Sequence, residues 1–363
     1  MDQQGFLVNE LGGSRRGVRP LPVFLTLAGM TSADSAQHLA MVEGLKLYLS
    51  HPFKRAEEQR NVIWQSGEVT LRHLPAGGKH HLLLVPSMIN RSVILDLLPE
   101  RSFAHWLVAQ GIDVYILDWG NPVNDPDQAS VDDVLLKKLL PCLSFINEKT
   151  GSYQALGYCM GGTLLAGAAH FQPAGLEKII YLASPWDFHA GDCRLQNQIM
   201  MGTPSALQMT ENGKGLPSNW IQSVFATVNA EKNIHKFVDF KNIEQDSDQA
   251  RLFVALEDWL NDGVDLPAAI ARTCIVEWYG ENRPCHKKWI VEDQVIDPAR
   301  LDIPALVVAS ATDRLVPCEG SHALARILPK VTTLETDCGH IGMMTSRRAV
   351  ENVWKPLLEW IAA

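Results

Sequence analysis

Cys159 lies in Gly157-Tyr158-Cys159-Met160-Gly161-Gly162, a G-x-C-x-G pentad with one further glycine. The run at 153–157 before it reads as a strand, and the small-residue stretch 161–170 after it as a helix. A sharp strand-to-helix turn holds its central residue in strained dihedrals. Small residues two positions to either side keep neighbouring backbone from clashing there. The helix N-terminus then points at the sulfur and favours the thiolate, the nucleophilic form. A lone cysteine is more often a small core residue; the flanking strand, the helix and the extra glycine favour the nucleophile.

A nucleophile of this kind needs a base and a group to orient the base, in the chain order nucleophile, acid, histidine. Asp313 follows the apolar run 305–310, in Ala311-Thr312-Asp313-Arg314-Leu315-Val316-Pro317. His340 follows the run 331–335, in Asp337-Cys338-Gly339-His340. Both leave a strand at the edge where ligands meet parallel sheets. Asp313 would orient His340 and stabilise the imidazolium, and His340 would move protons to and from Cys159 and an attacking hydroxyl. Taken singly, Asp313 reads as the cap of a helix starting near Glu319, and His340 as a surface histidine. Of the twelve histidines, only His340 follows a strand-end glycine after the candidate acid. Asp337 is a weaker rival for the acid. The oxyanion donors expected are the backbone N–H of Met160 and one from Ser87 or Met88, in the loop Pro86-Ser87-Met88-Ile89-Asn90.

The elements that must position these groups alternate. Strands are expected at 81–85, 113–118, 153–157, 178–184, 305–310 and 331–335, with helices at 101–110, 132–150, 161–170 and 350–361. A hairpin is expected at 61–74 around Ser66-Gly67. This rhythm predicts a mostly parallel sheet covered on both faces. Between 186 and 299 it breaks into a stretch rich in Trp, Met and Asn, read as a mainly helical cap. The expected organisation is an N-terminal helical arm at 1–60, a core at 61–185 and 300–363, and the cap insertion at 186–299. With a nucleophile elbow, that is the α/β-hydrolase fold.

Composition sets limits. The chain has 363 residues, 46% hydrophobic and 20% charged, with a net charge of −9. Such a balance gives no bulk field for nucleic acid or an anionic membrane. The apolar stretch 21–30 is interrupted by Pro22 and too short for a transmembrane segment. Seven scattered cysteines without a CxxC pair point to a reducing, cytoplasmic setting, with no metal site and no disulfide framework expected.

The runs Val85-Pro86-Ser87-Met88-Ile89-Asn90-Arg91-Ser92-Val93-Ile94-Leu95-Asp96-Leu97, Asp118-Trp119-Gly120-Asn121-Pro122, Gly157-Tyr158-Cys159-Met160-Gly161-Gly162-Thr163-Leu164 and Asp187-Phe188 resemble polyhydroxyalkanoate synthases. The likeness covers about 80–190 and 300–342. Carried over residue by residue, it puts the family's nucleophile on Cys159, its acid on Asp313 and its histidine on His340. It implies an acyltransferase that joins (R)-3-hydroxyacyl units from coenzyme A thioesters into a polyester, with no cofactor beyond that substrate. It also implies cytoplasmic work at a polymer granule, as a homodimer or with a second synthase subunit. The short N-terminal part looks more like the two-subunit class. The sequence departs from the family at Arg314, where His is usual, and at Gly342-Met343-Met344-Thr345, where a small residue and an Asn-Pro-Pro run are usual.

Asn90 and Trp186 are the candidate substrate contacts. Trp186, Trp220, Phe225, Trp259 and Trp278 could wall water out, although each singly reads more simply as cap core. Arg283, Lys287 and Lys288 could meet coenzyme A phosphates, with a solvated charged face the commoner meaning of such a cluster. Two other functions stay open: a Cys-dependent hydrolase of the dienelactone-hydrolase type, and a non-catalytic granule- or partner-binding relative.

Overall fold

A computed structural model describes residues 28–56 and 61–363, apart from Ser32, Asn212, Lys214 and Asn229. The expected arm therefore falls partly outside the described residues. Its described residues include α1 (Ser35–Ser50), whose first turn is capped by the Asp34 side chain accepting from the Ala36 and Gln37 N–H groups.

The chain divides into two compact units, and the boundaries differ from those expected. The larger holds residues 61–217 and 264–363. Only Ser218–Gly263 of the expected cap separates from it, together with the N-terminal residues. Eight strands form the sheet of the larger unit: β1 (Val62–Ser66), β2 (Val69–Leu74), β3 (His80–Val85), β4 (Ile112–Asp118), β5 (Tyr153–Tyr158), β6 (Leu176–Leu182), β7 (Ala305–Ser310) and β8 (Val331–Thr336). Their order is β1-β2-β4-β3-β5-β6-β7-β8. The β1–β2 and β2–β4 pairs are antiparallel and all others parallel. The crossing of β3 and β4, followed by strands added in sequence, is the strand order of an α/β hydrolase.

Burial explains why the strands were readable. β4, β5 and β7 are buried along their whole length. A strand covered on both faces reads as a continuous apolar run. α2 (Phe103–Ala109) and α4 (Met160–His170) fall where helices were expected, within two residues, and α3 (Leu140–Thr150) completes the expected 132–150 stretch, which begins as a helical turn at Val131–Asp133 and a π-helical segment at Val134–Leu139. The stretch 186–299 carries a small antiparallel hairpin, Ile290–Val291 with Gln294–Val295, that its composition did not suggest. It also carries α5 (Arg194–Thr210).

The smaller unit is helical: α1, α6 (Ser218–Val228), α7 (Ala230–Lys241) and α8 (Asp248–Asn261). Met41 and Tyr48 of α1 share one buried cluster with Phe237, Phe240 and Val254. A side chain at Gly44 would run into the Phe237 backbone, so α1 and α7 pack closely there. Residues two hundred positions apart build this core, which is why the local pattern drew the boundaries elsewhere.

One buried ion pair braces the larger unit. The Lys138 ammonium, 1% exposed, lies 2.9 Å from Asp125 Oδ2. It also donates to Ser66 O at 3.1 Å, while Asp125 Oδ2 accepts from the Glu68 N–H at 3.0 Å. The pair thus ties the β1–β2 turn to the chain after β4. Removing one partner of a buried pair strands the other charge in the interior. Lys138→Met should cost about 3–5 kcal/mol in urea unfolding, and the double change with Asp125→Asn should recover part of it. Full stability in the single variant would show that the pair is solvated.

Candidate active site

The register of the sheet decides where the three expected residues meet. Gly157 pairs with Val85 on one side and Tyr181 on the other, so β5 ends at the centre of the sheet's C-terminal edge. Cys159 follows with φ 56° and ψ −129°, strained for a residue with a side chain. Met160 then opens α4. A side chain at Gly157 would strike the Gly162 backbone, one at Gly161 the Val85 and Pro86 carbonyls, and one at Gly162 the Ser184 side chain. The pentad's glycines are thus required by close approach of α4 to the ends of β3, β5 and β6. The helix start is held further by Thr163 Oγ1 donating to Pro185 O at 2.8 Å.

Ser310 and Thr336 are the last paired residues of β7 and β8. Two loops therefore leave the same edge side by side, one carrying Asp313 three residues on and the other His340 four residues on. His340 Nδ1 donates to Asp313 Oδ2 at 2.7 Å, with the carboxylate fully buried and the ring 10% exposed. Asp313 Oδ1 meanwhile accepts from the Leu315 and Val316 N–H groups at 2.8 and 2.9 Å. The same side chain turns its own loop and orients the ring. Asp337, the rival acid, is engaged elsewhere, by Arg348 and by Asn352 Nδ2.

The His340 ring also hydrogen-bonds Cys159. Burial works against protonating His340, but the Asp313 charge, then the Cys159 charge, and hydrogen bonds to both raise its pKa well above the ordinary histidine value. The half-buried thiol and the ring thus form one electrostatic unit with the acid.

Tyr158, which the pattern left as an unspecified pentad position, secures the ring. Its hydroxyl donates to His340 O at 3.1 Å, and the two rings stack with centroids 5.1 Å apart. Burial first, then the Cys159 and Asp313 charges, push its phenol well above the ordinary range, so it stays a neutral donor. A second tyrosine, Tyr279, feels the charges of Cys159 and Asp313 after burial, both of which raise its pKa. No motif marked either residue, because neither role depends on sequence spacing.

The other expected site residues sit as follows. Met160 occupies the first position of α4, where the backbone N–H has no partner within its helix. The loop after β3 lies against that helix start, as the contact at Gly161 requires, and Trp119 Nε1 pins it by donating to Pro86 O at 2.9 Å. Ser87 Oγ accepts from the Ile89 N–H at 3.3 Å, the Met88 side chain is fully buried, and Asn90 is half-buried. Trp186 is packed inside an aromatic cluster with Trp289, which in turn meets Trp278. Only 2% exposed, it contributes to the interior wall and offers little surface to a bound molecule. Trp220, Phe225 and Trp259 belong to the smaller unit. Arg283 is paired with Glu277 and Glu281, and Lys287 with Asp297, which leaves that cluster little net charge for phosphates. Arg314 is 57% exposed, with Asp192 3.5 Å away.

The chain is similar over most of its length to poly(3-hydroxyalkanoate) polymerase subunits. It is 29% identical over 313 residues to the PhaC subunit of Haloferax mediterranei, covering 83% of this chain and 63% of that one. It is 24% identical over 353 residues to that of Haloarcula marismortui, covering 92% and 73%. It is 26% identical over 285 residues to that of Allochromatium vinosum, covering 77% and 80%. The match thus spans less than two thirds of the Haloferax subunit. No protein-family model matches the chain. Among solved structures, a thermophilic esterase from Thermogutta terrifontis is 16% identical with a TM-score of 0.46, over 85% of this chain and 98% of that one. An esterase from Exiguobacterium antarcticum is 9% identical with a TM-score of 0.46, over 81% and 96%. The fold assignment rests on the strand order and the elbow.

Proposed function

We propose that the chain is a polyester synthase, which polymerises (R)-3-hydroxyacyl groups from coenzyme A thioesters through an acyl group on Cys159. The observation that carries the reading is the buried Asp313–His340 hydrogen bond, with the second face of the ring turned to a cysteine rather than a serine. The similarity to named polymerase subunits supports the substrate class.

The Cys159 thiolate attacks the thioester carbonyl. The oxyanion is met by the Met160 N–H and one from Ser87 or Met88. Coenzyme A leaves as a thiol with the proton from His340. A 3-hydroxyl then gives its proton to His340 and attacks the acyl-Cys159, forming an oxoester and returning the thiolate. Loading exchanges one thioester for another and is nearly isoenergetic, whereas transfer to the hydroxyl runs downhill. No redox or metal step is needed to balance the reaction. Asn90 is proposed as a substrate contact and Trp186 as packing behind the site. Work at a cytoplasmic granule, as a homodimer or beside a second subunit, belongs to the same reading. Among the described residues no helix is long and apolar enough to cross a membrane.

The test is to give the purified protein (R)-3-hydroxybutyryl-CoA and follow free thiol together with turbidity. Thiol release with growing turbidity is the expected result. Free acid without polymer would replace the reading with a Cys-dependent hydrolase. Neither product, with stoichiometric binding of a partner, would mean a non-catalytic relative.

A further inference from the structure

Beyond Cys159, His340 and Asp313, one other set of side chains among the described residues combines sulfur, nitrogen and oxygen donors at one point. Cys318 and His322 stand four residues apart on α9 (Cys318–Ala325), hence on one face of that helix. Glu335 reaches them from β8, the strand beside it. His322 Nε2 lies 3.9 Å from the Cys318 sulfur and 3.6 Å from Glu335 Oε1, and the three donor atoms all lie within 4.8 Å of one another. Zinc bonds of about 2.0–2.3 Å in tetrahedral geometry set donors roughly 3.3–3.8 Å apart. Small side-chain rotations therefore suffice to close the set around an ion.

We propose that Cys318, His322 and Glu335 bind a divalent metal ion of the zinc class, with the fourth position open to solvent. The donor set suits a borderline-soft ion better than calcium or magnesium, which take oxygen ligands. The surroundings are anionic. Binding displaces the thiol proton to solvent and forms the metal–thiolate bond, so affinity should weaken as pH falls. The placement gives the site meaning. α9 begins where the Asp313 loop ends, and β8 ends where the His340 loop begins. An ion joining α9 to β8 would clamp together the two loops that supply the acid and the base. The absence of CxxC spacing led the sequence reading to expect no metal, because the third donor comes from a separate strand.

The site stands on this geometry and not on the synthase reading, and the test keeps the two apart. The full chain, stripped with chelator under reducing agent, is titrated with Co²⁺ and, in competition with a chromogenic chelator, with Zn²⁺. One equivalent should bind, and the cobalt form should show a thiolate charge-transfer band. Cys318→Ser should remove the band, whereas Cys159→Ser should keep it. His322→Ala and the surface change Glu335→Gln should each weaken zinc by at least the ~10–100-fold seen when outer partners of a metal site are lost. No band in the unaltered chain, a band that survives Cys318→Ser, or one lost in Cys159→Ser would overturn the proposal. The last result would put the ion on the catalytic sulfur instead.

Discussion

Cys159→Ala should abolish coenzyme A release while the protein stays folded. Removing a triad nucleophile costs on the order of 10⁶ in turnover in a well-studied serine protease, so the variant should fall below detection. The structure explains why the fold should survive. The side chain is half-buried, and alanine meets the same backbone strain at φ 56° that cysteine already bears. The unfolding midpoint should therefore move by less than about 1 kcal/mol, as for changes that open no large cavity. Thiol release, read with catalytic amounts of protein, and urea unfolding check the two halves. Turnover persisting in the alanine variant would end any account in which this sulfur carries the acyl group.

Asp313→Asn should lower turnover by ~10⁴, as the equivalent change does in a serine triad. The amide oxygen can still accept from the Leu315 and Val316 N–H groups, so the loop keeps its turn. The amide nitrogen then faces His340 Nδ1 and forces the tautomer that presents a hydrogen to the sulfur, where a proton acceptor is needed. The sign of the pH effect follows from the same charge. Asp313 helps hold the His340 pKa above its ordinary value, so the imidazolium survives to higher pH. Without the charge the ring deprotonates earlier, and the alkaline limb of the activity profile should move to lower pH. Rates of Cys159 alkylation against pH would track the coupled pair directly. An alkaline limb that stays in place would mean that Asp313 orients the ring but does not stabilise its charge.

How much of this was written in the chain varies from place to place. The central strands were legible because burial on both faces leaves continuous apolar runs, as at Leu82–Val85 and Ala305–Ser310. The meeting of Cys159, Asp313 and His340 was legible because strand ends, glycines and chain order carry the signal locally. The pairing of α1 with α7 was not. Met41, Tyr48, Phe237 and Phe240 come together only by long-range helix packing, which imposes no period on either segment alone. Trp186, a candidate substrate contact by sequence, has Trp289 and Gly320 as neighbours in space, and the Gly320 carbonyl accepts from the Trp186 N–H at 3.2 Å. Tyr158 was invisible in the sequence. The pentad pattern leaves its position unspecified, and its partner lies 182 residues away.

The crowding around the elbow limits how this site can diversify. Three of the six residues from Gly157 to Gly162 have no room for a methyl group, one supplies the sulfur, and one holds the base loop by its hydroxyl and ring. Inherited or laboratory variation in that hexapeptide is thereby channelled into Met160. New specificities must otherwise arise from segments remote in sequence, free to change while the elbow stays constant.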